Sequence, residues 1–135
     1  MFPRSLVEGR KIPPSLVKNK RVQKNMDRIF CSLLAVAAAG HVFGTFKFFE
    51  FGTNGFVWAL SGGFACALLA TINFLRTSRP TDGALRWLTV FGNIGWMGIA
   101  LLFGESIGNL LDRRVLLHEI AAAGVTCFSV TGFFR

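Results

Sequence analysis

Residues Ile29–Phe49 read IFCSLLAVAAAGHVFGTFKFF, 21 residues with a single charged side chain, Lys47, two positions from the end. A helix needs about 20 apolar residues to cross the ~30 Å hydrocarbon core of a bilayer. Three more runs of this kind follow, at Phe56–Leu75, Leu85–Gly104 and Val115–Phe134. The expected fold is an all-α membrane protein with four transmembrane helices, at about 29–49, 56–75, 85–104 and 115–134. Short connections make sequential helices antiparallel neighbours, which predicts an up-down-up-down bundle. The first run also has the basic approach and small residues (Ala37-Ala38-Ala39) of a signal peptide. Its length favours a retained helix over the shorter signal core.

Charge sorts the chain into two parts. Residues 1–28 hold eight of the 15 Lys and Arg against two acids, Glu8 and Asp27. The remaining 107 residues, the four-span domain 29–135, are nearly balanced. Region 1–28 therefore reads as a basic, partly disordered cytoplasmic tail. Pro13-Pro14 interrupts it, and helix is expected to begin somewhere in 19–28.

Placing the amino terminus in the cytoplasm leaves 12 basic residues inside and three outside, Lys47, Arg113 and Arg114. That bias orients a membrane protein with its positive loops inward. Both termini are then cytoplasmic, in a cell membrane of the bacterial inner-membrane type. Phe48, Phe49, Phe51, Phe56 and Trp58 mark the outer interface, and Trp87 the inner one. Lys18, Lys20, Arg21, Lys24 and Arg28 lie where anionic lipid head groups are, each attracted by roughly 1 kcal/mol. The tail has no interleaved aromatics for base stacking, which argues against a nucleic-acid partner.

Every span carries small residues that let helix backbones approach. The expected packing positions are Gly40 and Gly44, a GxxxG pattern, Ser61-Gly62-Gly63 in the second span, Gly92, Gly95 and Gly98 in the third, and Ala121-Ala122-Ala123-Gly124 in the fourth. Packing inside the bundle is expected, and a homo-oligomer seam or a partner membrane protein is the other use. Cys31, Cys66 and Cys127 are odd in number and lack a CxxC, so they read as packing residues. Cys66 and Cys127 could meet at similar depth.

Polar groups in hydrocarbon are costly, so they are the candidate functional residues. They are His41, Asn73, Asn93, His118 and Glu119. Ala37, Ala38, Gly44 and Thr45 share the face of His41, and Ala121 and Ala122 that of His118. Both rings are thus expected to point at other helices and to converge. Two converging imidazoles could ligate a haem. With Glu119 they could contribute to a metal site. The plainer expectation is hydrogen bonding between helices, with Glu119 paired to Lys47, Arg113 or Arg114, and Lys47 paired to Glu50. Asn93, the one strongly polar side chain expected at mid-depth, and Asn73 should each bond a neighbouring helix.

No catalytic motif is present. The layout is similar to that of small multidrug transporters, but the membrane-embedded Glu of their first helix has no counterpart in Ile29–Phe49. The function expected is a non-catalytic scaffold or accessory protein. A haem or metal binder using His41 and His118, and a small-solute carrier or channel lined by Asn93, are the alternatives.

Overall fold

The structure, a computed structural model, describes residues 14–131, with side chains from residue 21 onward. Residues 1–13, the end of the fourth span after Thr131, and the side chains of Lys18 and Lys20 lie outside the described residues. The described chain is four helices: α1 (Pro14–Phe48), α2 (Asn54–Ser78), α3 (Gly83–Ser106) and α4 (Arg113–Thr131). All four, α1 from Arg21 onward, are long and apolar enough to cross a membrane.

Local chemistry sets the ends. The helix α1 starts at Pro14, not within 19–28 as the tail composition implied. Proline is suited to a first turn, where its missing N–H would have no partner, so Pro14 starts the helix instead of blocking it. The Thr53 hydroxyl accepts from the Phe56 amide at 3.2 Å, capping α2, and the Asp82 carboxylate accepts from Leu85 at 2.9 Å, capping α3. Asp112 does the same for α4 through the Arg114 amide, at 2.9 Å. Such caps satisfy amides that have no acceptor within the helix. The turns before α2 and α4 pass through Gly52 and Gly108 at φ 81° and 67°, a region that costs glycine little.

The distribution of side chains is the reverse of a soluble protein's. Phe43, Phe64 and Leu102 are 71%, 63% and 66% exposed, while Asn73, Asn93, Thr89 and Ser129 are fully buried. Water-soluble monomers rarely expose contiguous apolar surface on this scale. Four such helices fit a small multi-pass membrane protein.

The helix α1 packs on α2 and α4, α3 packs on α4, and α2 meets α3 over a shorter stretch. Along α1 and α2 the contacts run Asp27–Arg76, Leu34–Cys66 and His41–Ala59, so the two are antiparallel. Close approach depends on some of the small residues and not on others. A Cβ on Gly63 would lie 2.6 Å from Val42 Cγ2, and one on Gly62 3.3 Å from His41 Nε2. On Gly92 it would lie 2.8 Å from Leu69 Cδ1, as the third-span stripe implied. Gly40 and Gly95 have nothing within 4 Å of that position, and Gly44 meets only Phe48 of its own helix. The GxxxG of α1 therefore packs against none of the other three helices. Gly124 gives way to the Phe30 ring, closing α4 onto α1.

Aromatic residues cluster at the α1–α2 turn, with one departure from expectation. Phe48, Phe51 and Trp58 are exposed, but Phe56 is buried, edge-on to Phe46 at 5.2 Å and tilted against Phe51 at 5.0 Å. It opens α2 and plugs the end of the α1–α2 seam instead of facing outward.

Candidate functional site

Buried polar groups occupy three levels between the helices. The first contains the two histidines. Their ring centroids lie 6.1 Å apart at an interplanar angle of 77°, so α1 and α4 do bring them together. Each nitrogen's role follows from its partner. His41 Nε2 lies 3.0 Å from the Ala59 carbonyl oxygen. A carbonyl only accepts, so Nε2 donates and Nδ1 keeps its lone pair. Trp96 Nε1 donates to His118 Nδ1 at 3.1 Å. An indole N–H only donates, so Nδ1 of His118 is an acceptor and its proton sits on Nε2. The Cys66 thiol is 3.9 Å from the same Nδ1 and 3.8 Å from the Leu34 carbonyl. This level therefore ties α1, α2, α3 and α4 together through two imidazoles, an indole and a thiol.

A metal would disturb that arrangement. Binding His118 through Nδ1 displaces the Trp96 donor, and binding through Nε2 displaces a proton. His41 Nδ1 is the one imidazole nitrogen with a lone pair and no donor assigned to it. Among the described residues, no three His, Cys, Asp or Glu side chains gather into a metal's donor set. A groove of about 630 Å3 lies between α1 and α2 and is lined by Ala35, Ala39, Val42, Phe46, Ala67 and Phe74.

The second level is a reciprocal amide pair. Asn73 Nδ2 donates to Asn93 Oδ1 at 3.1 Å, and Asn93 Nδ2 returns the bond to Asn73 Oδ1 at 3.1 Å. Each amide spends its second N–H on a carbonyl of its own helix, Leu69 at 2.9 Å and Thr89 at 2.7 Å. All four N–H bonds are made without water. Asn73, near the end of α2, thus meets Asn93 in the middle of α3. On the α4 side, the Thr89 and Ser129 hydroxyls are 3.3 Å apart.

The third level is an ion pair. Arg76 Nη2 donates to Asp27 Oδ1 at 2.5 Å, with the side chains only 6% and 13% exposed. The Cys31 thiol lies 4.0 Å from the same carboxylate oxygen. Arg76 Nε is buried without a partner. Reading Asp27 as tail and Arg76 as loop hid this pair. The available signal was that Asp27, Cys31 and Leu34 fall on one helix face, at i, i+4 and i+7.

Several expected contacts do not form. The ion pairs seen on these helices include Arg76–Asp27 and Arg114–Asp112. Lys47 lies over the Phe48 ring at 5.6 Å instead of pairing with Glu50 or Glu119. Arg114 is held by Asp112 two residues away, at 2.8 Å. Glu119 is left with Oε1 buried and unpartnered. Cys66 is buried while Cys127 is exposed on the opposite side of its helix, and both are free thiols. The side chain of Asp112 takes bonds from the Arg114 guanidinium and amide, which hold its carboxyl at about 2, below the usual 3.8.

Comparison with known proteins leaves the function to this geometry. No family model, no curated protein and no solved structure matches the chain.

Proposed function

We propose that this protein is a non-catalytic integral-membrane scaffold or accessory protein. Its four helices form an up-down-up-down bundle with both termini in the cytoplasm. The Asn73–Asn93 amide pair carries the reading. In a carrier or channel a mid-depth amide meets the solute. Here both amides are committed to each other and to their own helices, so their hydrogen bonds join α2 to α3. The interior polar groups act as fasteners, worth about 1 kcal/mol per interhelical bond.

The twelve-to-three distribution of basic residues supports the orientation and fits a bacterial inner membrane. Helix α1 supports the lipid contact. It runs from Pro14 without a break, so Lys18, Lys20, Arg21, Lys24 and Arg28 ride on one rod leading into the first span. That supports a role for them along the cytoplasmic surface, beside anionic head groups.

The 6.1 Å approach of the two histidines favours one other reading, a metal held by His41 and His118, with Glu119 as the nearest carboxylate in sequence. Protein purified in detergent decides between them through its absorption spectrum and metal content. The scaffold reading expects colourless protein without stoichiometric metal. A pigment, or one bound metal lost in His41→Ala, overturns it. Solute flux in liposomes that depends on Asn93 would overturn it equally.

A further inference from the structure

One face of α1 joins the basic segment to the groove between α1 and α2. Arg21, Lys24 and Arg28 recur at spacings of three and four, and the same spacing continues through Ser32 to Ala35 and Ala39. Residues so spaced lie on one side of a helix. The three basic side chains are exposed. Ser32 is small, and its hydroxyl donates to the Arg28 carbonyl at 2.9 Å, so it adds little bulk and no free donor to the row. Ala35 and Ala39 line the groove with Ala67, Thr71 and Phe74 of α2. Thr71 spends its hydroxyl on the Ala67 carbonyl at 2.9 Å, which leaves the lining apolar in effect.

The groove begins at the depth of the charges. Arg76 of α2 pairs with Asp27 of α1. Phe74, two residues deeper than Arg76, is therefore within a turn of the level of Arg28. Ala39 lies ~16 Å below Arg28 along the helix, about half of the ~30 Å hydrocarbon core and so the depth of one leaflet. Lys24 stands ~6 Å above Arg28, within the head-group layer. An acyl chain of the inner leaflet fits the apolar part of this row, and its phosphate fits the basic part. Charge also separates a lipid from a second copy of the chain. A second copy inserted the same way round would set its own basic row against this one, whereas a lipid anion neutralises it.

We propose that the α1–α2 groove is a binding site for one anionic phospholipid of the inner leaflet, with an acyl chain along Ala35, Ala39 and Phe74 and the phosphate held by Lys24 and Arg28. The site depends on the orientation and lipid contact proposed above, and narrows that contact to a single seam.

Photolabelling of the full chain in phosphatidylcholine liposomes tests it. The probe is phosphatidylglycerol carrying a diazirine midway along one acyl chain, compared with phosphatidylcholine carrying the same chain. Adducts are mapped by peptide mass spectrometry. Groove residues Ala39 and Ala67 should be labelled roughly 20-fold more by the anionic probe, about fivefold for each of two basic residues. Phe91 and Ile94, exposed on α3, should be labelled about equally by both probes. Arg28→Gln should lower the groove preference roughly fivefold. Ala39→Phe should fill the groove and remove its adducts. Equal labelling of the groove by the two probes overturns the site. An anionic excess on α3 as large as that in the groove keeps the attraction of the basic segment and sinks the site alone. No anionic excess anywhere sinks both. A groove that takes no adduct, in protein that sediments as a dimer, holds a second copy and overturns the proposal equally. The decisive comparison is made on the wild-type chain, so it does not depend on whether a variant folds.

Discussion

The α1–α2 seam and the α2–α3 seam share one helix and are built on different principles. Helices α1 and α2 meet along most of their length. Gly62 and Gly63 let His41 and Val42 approach, and Asp27–Arg76 closes the far end. Helices α2 and α3 meet over less surface, with Leu69 seated on Gly92 and the reciprocal amide pair beside it. Apolar contact between helices gains little in lipid, because lipid tails are as apolar as leucine. Close fit can hold a long seam, whereas a short seam depends on directional hydrogen bonds.

Breaking the long seam at its charged end should have the largest effect. Arg76→Met leaves Asp27 buried without its counter-charge, and losing one member of a buried pair costs about 3–5 kcal/mol. Thermal or SDS-induced unfolding in detergent reads this. The double change Asp27→Leu with Arg76→Met should recover most of the loss, since an apolar pair removes both desolvation costs. Equal instability of single and double variants would contradict the ion-pair account.

Steric damage to the same seam comes next. Gly63→Val places new methyl groups where even a Cβ falls 2.6 Å from Val42 Cγ2 and 3.4 Å from the Val42 backbone nitrogen. Backbone cannot swing aside as a side chain can, so about 1–3 kcal/mol of destabilisation is expected. Gly40→Val, where there is open space, should change stability little in the same assay.

The short seam should respond to chemistry and not to size. Asn93→Leu removes both bonds of the amide pair, and a loss of about 1–2 kcal/mol is expected, up to about 1 for each bond. Asn73→Leu with Asn93→Leu should be no worse than either single change, because no buried amide is then left unpaired.

The smallest effect lies outside both seams, at the start of α4. Hydrogen bonds from Arg114 hold Asp112 at about 2 in the folded chain, against 3.8 ordinarily. A lowered value means the carboxylate's contribution is present above the ordinary value and lost as pH falls through about 2. Hydrogen exchange of the first-turn amides of α4 should accelerate over that range. Asp112→Asn keeps a capping oxygen and should flatten the pH dependence.

Much of this was legible in the sequence and some was not, for physical reasons. The four spans were readable because length and hydropathy alone decide what lies in lipid. The convergence of His41 and His118 followed from the small residues on their faces, which point a ring at a neighbouring helix. The tautomers were not readable, because they depend on Ala59 and Trp96, residues distant in sequence from the rings they fix. The Asp27–Arg76 pair stayed hidden because α1 extends past the apolar run, and hydropathy marks where lipid ends, not where a helix ends. Glycine spacing misled at Gly40 and Gly44, because spacing shows that a helix can be approached but not from which side. The expected Glu119 partner was wrong for a related reason: Arg114 bonds a carboxylate two residues away before it can reach one five residues on.

One measurement tests the membrane-spanning arrangement directly. Single cysteines are placed in the turns, Thr53→Cys and Thr81→Cys, in a chain whose native cysteines are replaced by serine. Intact cells are exposed to a membrane-impermeant maleimide. The account predicts that position 53 is labelled from outside, while position 81 is labelled only after the membrane is permeabilised. Labelling of position 81 in intact cells, or of neither position after permeabilisation, would contradict it.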